Sequence, residues 1–517
     1  MMTAAMLGAA ASMAAEADAP AATPPVLVGL APSNSSRALP LLGFGTELVW
    51  QSTNDTGLLA AAAAAAGSAV ARYPGGTPSN YWDWSCQLNG TCCTQRSVDI
   101  GETAKCSLSL GQAATTPSAW ADFVKPASAE TIFDLNVVQT NASYQLAGLR
   151  QFAAAGVPIE RLELGNELYM RVQAQGAWVD GAGYRAAMEP YLQTLKEAFP
   201  RAQLAMIGHE FHGGAAAVAW NQQVFNSSLY NGSSASAGAA TVHMYTIVST
   251  GGISNATLGT RAPELLSSAW QWPAAQHGFL ERTIPQRYRL WVTEMGHRGR
   301  RQWATPEIDG TWLEGLYTGA ALLLVLRTAR VDVALPYCLV CGLDNAPSFT
   351  AGPPWGDRVP PALADKMRWA LTPKGQIQAD VMRAVSARGG AKSNMTMRAL
   401  TFSPDRPLLP SLAGTSLLVG WAFVRADGGV DGALLLHLGP NRTALDLSGL
   451  VGGHAPPPAA ATWQLTARFQ PSGPGALLLN MSSVERQRWA LPASGIAEVP
   501  PYSVVTLDLV ATAPVDA

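Results

Sequence analysis

The chain is short of charge. Only 14% of its 517 residues are Asp, Glu, Lys or Arg, the net charge is -2, and Lys is scarce beside Arg. That balance offers no basic face for nucleic acid. Disorder is excluded as well, because 48% of the residues are hydrophobic and can bury a core. No apolar run reaches the ~18 residues a membrane span needs. The nearest approach, Ala320 to Leu326, reads as a buried helix. Cysteine is limited to six: Cys86, Cys92, Cys93 and Cys106 in one stretch, Cys338 and Cys341 in a Cys-x-x-Cys. No His stands at ligand spacing beside either group, so zinc is not expected.

Asparagine is placed unusually. Ten of the fifteen Asn stand in Asn-x-Ser/Thr: Asn34, Asn54, Asn89, Asn141, Asn226, Asn231, Asn255, Asn394, Asn441 and Asn480. About two would arise by chance, and such acceptors belong on surface loops of secreted chains. Residues 1–20, weakly apolar and ending Ala17-Asp18-Ala19, read as a signal peptide. A secreted glycoprotein, extracellular or in the cell wall, is therefore expected. In that compartment the cysteines form disulfides; the first four allow three pairings.

A length of 517 residues implies more than one core. Residues 21–40 are Pro- and Ser-rich, with one apolar run, Val26 to Leu30, that suits a strand lent to another domain. Eight strand-like runs follow: Gly43 to Trp50, Ala69 to Tyr73, Thr131 to Val137, Ile159 to Glu167, Gln203 to His209, Thr241 to Thr246, Tyr288 to Glu294 and Val331 to Cys338. Helix-patterned stretches such as Gly183 to Phe199 and Leu313 to Ala329 separate them. Eight strand–helix repeats predict a parallel sheet closed on itself, a (β/α)₈ TIM barrel over residues 41–388. Helical patterning then stops. Residues 389–517 read as an antiparallel β-sandwich with strands at Met397 to Phe402, Ser416 to Arg425, Gly432 to Leu438, Thr462 to Phe469, Gly475 to Met481 and Ser503 to Leu509.

Two strands end in carboxylates. The fourth closes as Gly165-Asn166-Glu167 and the seventh as Thr293-Glu294. Catalytic groups of a barrel collect at this C-terminal rim. Cleavage of a glycosidic bond requires a proton donor and a second carboxylate at the anomeric carbon. Glu167 and Glu294 are the candidates, with Asn166 placed to bind a sugar hydroxyl. Two carboxylates suffice for this chemistry, so neither cofactor nor metal is expected. His209-Glu210-Phe211-His212 lacks the His spacing of a zincin helix and reads as the rim after strand five.

The residues resemble a known group, the retaining glycosidases with (β/α)₈ barrels. In that group the acid/base follows strand four in Asn-Glu and the nucleophile Glu follows strand seven. Within it the chain is most similar to glycoside hydrolase family 79, the heparanase and β-glucuronidase family. Arg72-Tyr73-Pro74-Gly75-Gly76-Thr77, His243-Met244-Tyr245 and Pro501-Tyr502-Ser503 carry that likeness. It implies double displacement: Glu294 attacks, and Glu167 donates a proton and then activates water. Tyr245 is expected to donate its hydroxyl to Glu294, His243 to lie on the same face, and Arg72 to neutralise the Glu294 side. Asn136 is expected to line the cleft, and Trp82 or Trp84 to stack on sugar rings. Arg298, with Arg300 and Arg301, suits a sugar carboxylate or sulfate. The Gly-rich uronate loop and Lys-rich heparin segment of heparanase-like members are not recognisable. The expected partner is a carbohydrate, uronate-bearing in the first reading, bound by a monomer. A β-glucuronidase is the first reading. A neutral-sugar arabinofuranosidase or xylosidase with the same machinery, or a non-catalytic glycan-binding protein, are the alternatives.

Overall fold

The structure is a computed structural model. It describes residues 24–45, 56–85, 92–102, 116–210, 214–225, 238–248, 257–299, 308–337, 371–389, 393–408, 414–451, 461–474 and 484–511. Two short strands come first, β1 (Val26–Leu30) and β2 (Arg37–Ala38). The next eight are β3 (Leu41–Phe44), β4 (Val70–Tyr73), β5 (Glu130–Asp134), β6 (Arg161–Glu163), β7 (Gln203–Ile207), β8 (Ala239–Val248), β9 (Arg289–Gly299) and β10 (Val331–Pro336). They close into a parallel barrel in sequence order, β10 pairing with β3. The eight-strand reading holds, and strand one begins earlier than Gly43.

One end of the barrel interior is plugged by Leu41, Val70, Ile132, Ala205, Ala239, Trp291 and Val333, all buried. These lie early in their strands, so the plug occupies the N-terminal end and leaves the C-terminal end for polar groups. Side chains accept the orphan N–H groups at several helix starts: Asn141, Asp180, Thr311 and Thr372 cap Ala142–Ala154, Gly181–Ala198, Trp312–Val325 and Pro373–Ser386. Trp312–Val325 is buried along its whole length because the second domain covers its outer side. Trp421 donates to the Leu323 carbonyl at 2.9 Å, and Trp312 donates to that of Tyr502 at 2.7 Å. A helix apolar all round needs such a double cover.

The second domain comprises β11 (Thr396–Ser403), β12 (Leu418–Val424), β13 (Val430–His437), β14 (Thr443–Asp446), β15 (Ala461–Phe469), β16 (Glu485–Ala490), β17 (Ile496–Val499) and β18 (Ser503–Ala511). Their order is β16-β15-β18-β13-β12-β11-β1-β14-β17. Within β11, Thr396 to Ala399 pair with β12, whereas Leu400 to Ser403 pair with β1 from the chain's start. The sheet turns at β11 and closes over one core that includes Val26, Val28, Leu400, Leu418, Leu445, Leu465, Val499 and Leu507.

Strands β14, β16 and β17 are absent from the sequence reading. β14 and β17 are four residues long, and β16 (ERQRWA) is almost wholly exposed, so none carries an apolar run. Gly475 to Met481, read as a strand, lies outside the described residues, as do residues 1–20, Cys86, Cys106, Cys338 and Cys341. Cys92 and Cys93 are disulfide-bonded. Among the described residues no helix is long and apolar enough to cross a membrane.

Candidate active site

Strand periodicity builds the site above the plug. Two residues beyond Val70, Ile132 and Arg161 come Arg72, Asp134 and Glu163, facing the same way. All three are completely buried. On β8 the same spacing brings His243 and then Tyr245 to the face of Glu294.

Glu294 itself breaks the alternation. Val242 pairs with Val292 but His243 pairs with Glu294, and on the other side Ala334 pairs with Val292 but Pro336 with Met295. Strand β9 therefore carries one extra residue, a bulge. In a regular strand Thr293 and Glu294 would point to opposite faces. With the bulge, Thr293 donates to Glu163 at 3.1 Å while Glu294 still meets Arg72. Glu167 arrives differently: β6 ends at Glu163, and the chain turns through Gly165 at φ 92° and Glu167 at φ 48°. A Cβ at Gly165 would lie 2.3 Å from Leu168 Cδ1, so glycine is required there. Left-handed backbone at a glutamate costs ~1–2 kcal/mol and turns its side chain off the strand. Asn80 holds this turn, donating to the Asn166 carbonyl at 2.8 Å and accepting from the Asn166 N–H at 3.1 Å.

Arg72 is the hub. Its Nε donates to Glu163 Oε2 at 2.6 Å, Nη1 to Glu294 Oε1 at 2.7 Å and Nη2 to Asn166 Oδ1 at 2.9 Å. Nη2 also lies 2.8 Å from Asp134 Oδ2. Burial opposes the Arg72 charge, but Asp134, Glu163 and Glu294 outweigh it and raise its pKa. The Asp134 carboxyl is pushed up by burial, against Arg72 and with Glu163.

His243 joins the two candidate catalytic carboxylates. Its Nδ1 is 3.0 Å from Glu167 Oε1 and 3.4 Å from Glu294 Oε2. Tyr245 donates to Glu294 Oε2 at 2.6 Å, and Tyr169, stacked on His209 with ring centroids 3.9 Å apart, donates to Glu167 Oε1 at 3.2 Å. Glu167 is 18% and Glu294 8% exposed, while His243 is 4% exposed. A ligand thus reaches both carboxylates before the imidazole. Burial lowers the His243 pKa, but Glu294 and Glu167 more than reverse this and raise it to about 9. Burial lifts Glu167, but the His243 hydrogen bond and charge and the Tyr169 hydroxyl bring it below its ordinary value. At neutral pH the pair is ionised, with the proton on His243.

The sign for stability follows. A His whose folded pKa exceeds its unfolded value of ~6.5 stabilises fully below that value and loses the contribution as pH rises through about 9. The Tm difference between wild type and His243→Asn is expected to be largest near pH 6 and to shrink toward pH 9. A pH-independent difference in scanning calorimetry would argue against a charged His243.

Some sequence candidates fall elsewhere. Trp82 is fully buried, edge-on to Tyr73, and Trp84 is buried with its Nε1 donating to Gln145. Neither offers a face to a sugar. Asn136 donates to the Trp82 carbonyl and accepts from the Gln139 N–H, so it secures a loop and does not line the cleft. The Arg298 side chain lies outside the described residues, as do Arg300, Arg301, Phe211 and His212. Asp134, Glu163, Tyr169 and Asn80 escaped the sequence reading. The first two carry a signal, a carboxylate inside an apolar run (Phe133-Asp134-Leu135, Leu162-Glu163-Leu164); Tyr169 and Asn80 carry none.

A second buried cluster sits just past Glu294. The donor atoms of His297, Asp309 and Glu314 lie within 4.8 Å of one another. Burial raises the Glu314 carboxyl to about 7 despite Lys374, whose Nζ lies 3.8 Å away and donates to the Tyr337 carbonyl at 2.6 Å. Lys374 already places a cation here, and Glu314 also accepts from the Gly310 N–H at the helix start. The cluster reads as a brace for the end of β9.

No family model and no curated protein matches the sequence. Solved structures do match. A family 51 α-L-arabinofuranosidase from Bifidobacterium longum aligns with TM-score 0.64 at 14% identity, over 93% of this chain and 99% of that one. The fold is shared. A family 51 arabinofuranosidase from Xanthomonas axonopodis pv. citri gives 0.63 at 15% identity, over 94% and 100%. A 4-O-α-L-rhamnosyl-β-D-glucuronidase from Fusarium oxysporum gives 0.54 at 11%, over 93% and 100%. The likeness is to barrel glycosidases with a second sheet domain and does not separate family 79 from family 51.

Proposed function

We propose that the chain is a retaining glycoside hydrolase with Glu294 as nucleophile and Glu167 as acid/base. The carrying observation is one imidazole nitrogen in contact with both carboxylates. Two carboxylates that share one nitrogen's contact shell suit the ~5–5.5 Å separation of a retaining pair better than the ~6.5–9.5 Å that an inverting mechanism needs for its water. Arg72 and Tyr245 hold Glu294 aimed, each donating to one of its carboxylate oxygens. Its carboxylate attacks the anomeric carbon as the bond to the leaving oxygen breaks. Glu167 delivers the proton to that oxygen, drawn from the pair it forms with His243; the two titrate together. Glu167 then takes a proton from water as water displaces Glu294. Asn166 Nδ2, with no hydrogen bond to a described residue, is available to a sugar hydroxyl.

A neutral sugar, an arabinofuranoside or xyloside, is the better-supported substrate. The structural likeness is higher to the arabinofuranosidases than to the glucuronidase. Both described cations of the site, Arg72 and His243, are already engaged with carboxylates, so neither is spare for a uronate. A uronate-bearing substrate is the second reading, favoured by the Arg298, Arg300 and Arg301 run after β9 and by the glucuronidase likeness. Nitrophenyl α-L-arabinofuranoside, β-xyloside and β-glucuronide, assayed side by side, decide between them. Turnover of a neutral glycoside with none of the glucuronide is expected; the reverse selects the uronate reading, and no turnover of any glycoside removes the enzyme reading. Secretion and N-glycosylation belong to the same proposal, supported by exposed Asn141, Asn394 and Asn441 in their acceptor motifs.

A further inference from the structure

A groove of about 280 Å³ lies between the last barrel helix, Pro373–Ser386, and the outward face of β15, β16 and β18. Arg383, Arg388, Arg468 and Arg486 line it, against the acids Asp380 and Asp508. That excess of cations stands out in a chain of net charge -2. Arg388 is satisfied by Asp508 at 2.8 Å and Asp431 at 3.1 Å. Arg383 and Arg468 share one carboxylate, Asp380, at 2.7 and 3.1 Å. Arg486 has no ion pair or hydrogen bond with a described residue, and it pairs across the strands with Arg468. Like charges placed directly opposite destabilise a sheet. Arg488 continues the row two residues on, about 6.8 Å along the strand, and both residues are exposed. Burial and the charges of Arg468, Arg488 and Arg383 press the Arg486 pKa down, the mark of guanidinium groups crowded without enough anion.

We propose that this groove binds the carboxylate groups of an acidic polysaccharide, with Arg486 and Arg488 meeting successive charged units. Guanidinium forks pair with carboxylates through two parallel hydrogen bonds, and a row of cations along an open edge strand suits a polymer. The site lies away from the proposed catalytic rim. Arg383 Nη1 reaches the Ala65 carbonyl at the end of helix Thr56–Ala65, just before β4 begins, which is the plugged end of the barrel. A polymer held there is anchored to the enzyme without entering the cleft. The choice of a polysaccharide rests on the proposed function; the preference for an anion rests on the groove alone.

Affinity electrophoresis of the full chain tests this in gels containing polygalacturonate, dextran sulfate, neutral arabinan or a DNA duplex, alongside Arg486→Gln and Arg488→Gln. Neither side chain has an ion pair or hydrogen bond with a described residue to lose, so folding is preserved. Polygalacturonate is expected to retard the wild type. The binding should weaken about tenfold in Arg486→Gln, the scale of one charge-assisted pair, and arabinan should have no effect. Turnover of a small aryl glycoside should be unchanged in both variants, so the anchor can fail while the catalytic reading stands, and the reverse. Absence of retardation by polygalacturonate, equal retardation of wild type and Arg486→Gln, retardation by dextran sulfate alone, or DNA binding as tight as polygalacturonate would each overturn the assignment.

Discussion

Replacing Glu294 by Gln is expected to lower kcat by roughly 10⁴- to 10⁶-fold, the scale on which loss of a nucleophile is felt, while leaving the fold intact. The exchange is nearly isosteric. Arg72 and Tyr245, which donate to Oε1 and Oε2, retain one carbonyl oxygen between them, and the Tyr245 hydroxyl can turn to accept from the new amide. What disappears is the charge that attacks the anomeric carbon. That charge also leads the causes that raise the pKa of His243, so in the variant the imidazole should titrate below about 9, a shift visible by NMR. Glu167→Ala should behave differently. Substrates with a good leaving group need no proton and should retain most of their first-step rate, and added azide, filling the space left by the side chain, should restore turnover with retained configuration. If both variants lose activity alike toward every leaving group, the division of roles is wrong.

The second large effect is on stability. Arg72→Met removes the cation shared by Asp134, Glu163 and Glu294, all buried. Breaking a buried ion pair by deleting one partner costs about 3–5 kcal/mol, and the melting temperature should fall on the order of 10 °C. The sign of the pH dependence separates this from lost packing. Burial already lifts the Asp134 carboxyl above its ordinary value against the pull of Arg72, and losing that pull lifts it further. A carboxyl so raised binds more protons folded than unfolded, so the variant should recover stability relative to wild type as pH falls from 7 toward 5. A deficit that does not change over that range would mean that Arg72 acts through its volume and not its charge.

Much of this was legible before any coordinates. The eight strands announced themselves because each is a short apolar run between helical stretches, and Glu167 and Glu294 because each ends such a run. His243 and Tyr245 were placed correctly relative to each other by strand period alone. The bulge that turns Glu294 inward was not legible: one extra residue in β9 leaves no mark in the text, and regular alternation from Trp291 would have put Thr293 inside and Glu294 on the opposite face. Trp82 was misread because an aromatic near a rim looks the same in sequence whether it packs on Tyr73 or on a sugar. The arginine groove was invisible for another reason. Arg383, Arg468 and Arg486 belong to a barrel helix and two sheet strands, and β16 has no apolar residue pattern to mark it as a strand.

The central claim is that one carboxylate forms a bond to the sugar before water does. ¹H NMR of the first sugar released from an aryl glycoside, recorded before mutarotation, tests it most directly. The account predicts that the product first appears in the anomeric configuration of the substrate; the opposite anomer as first product would contradict it.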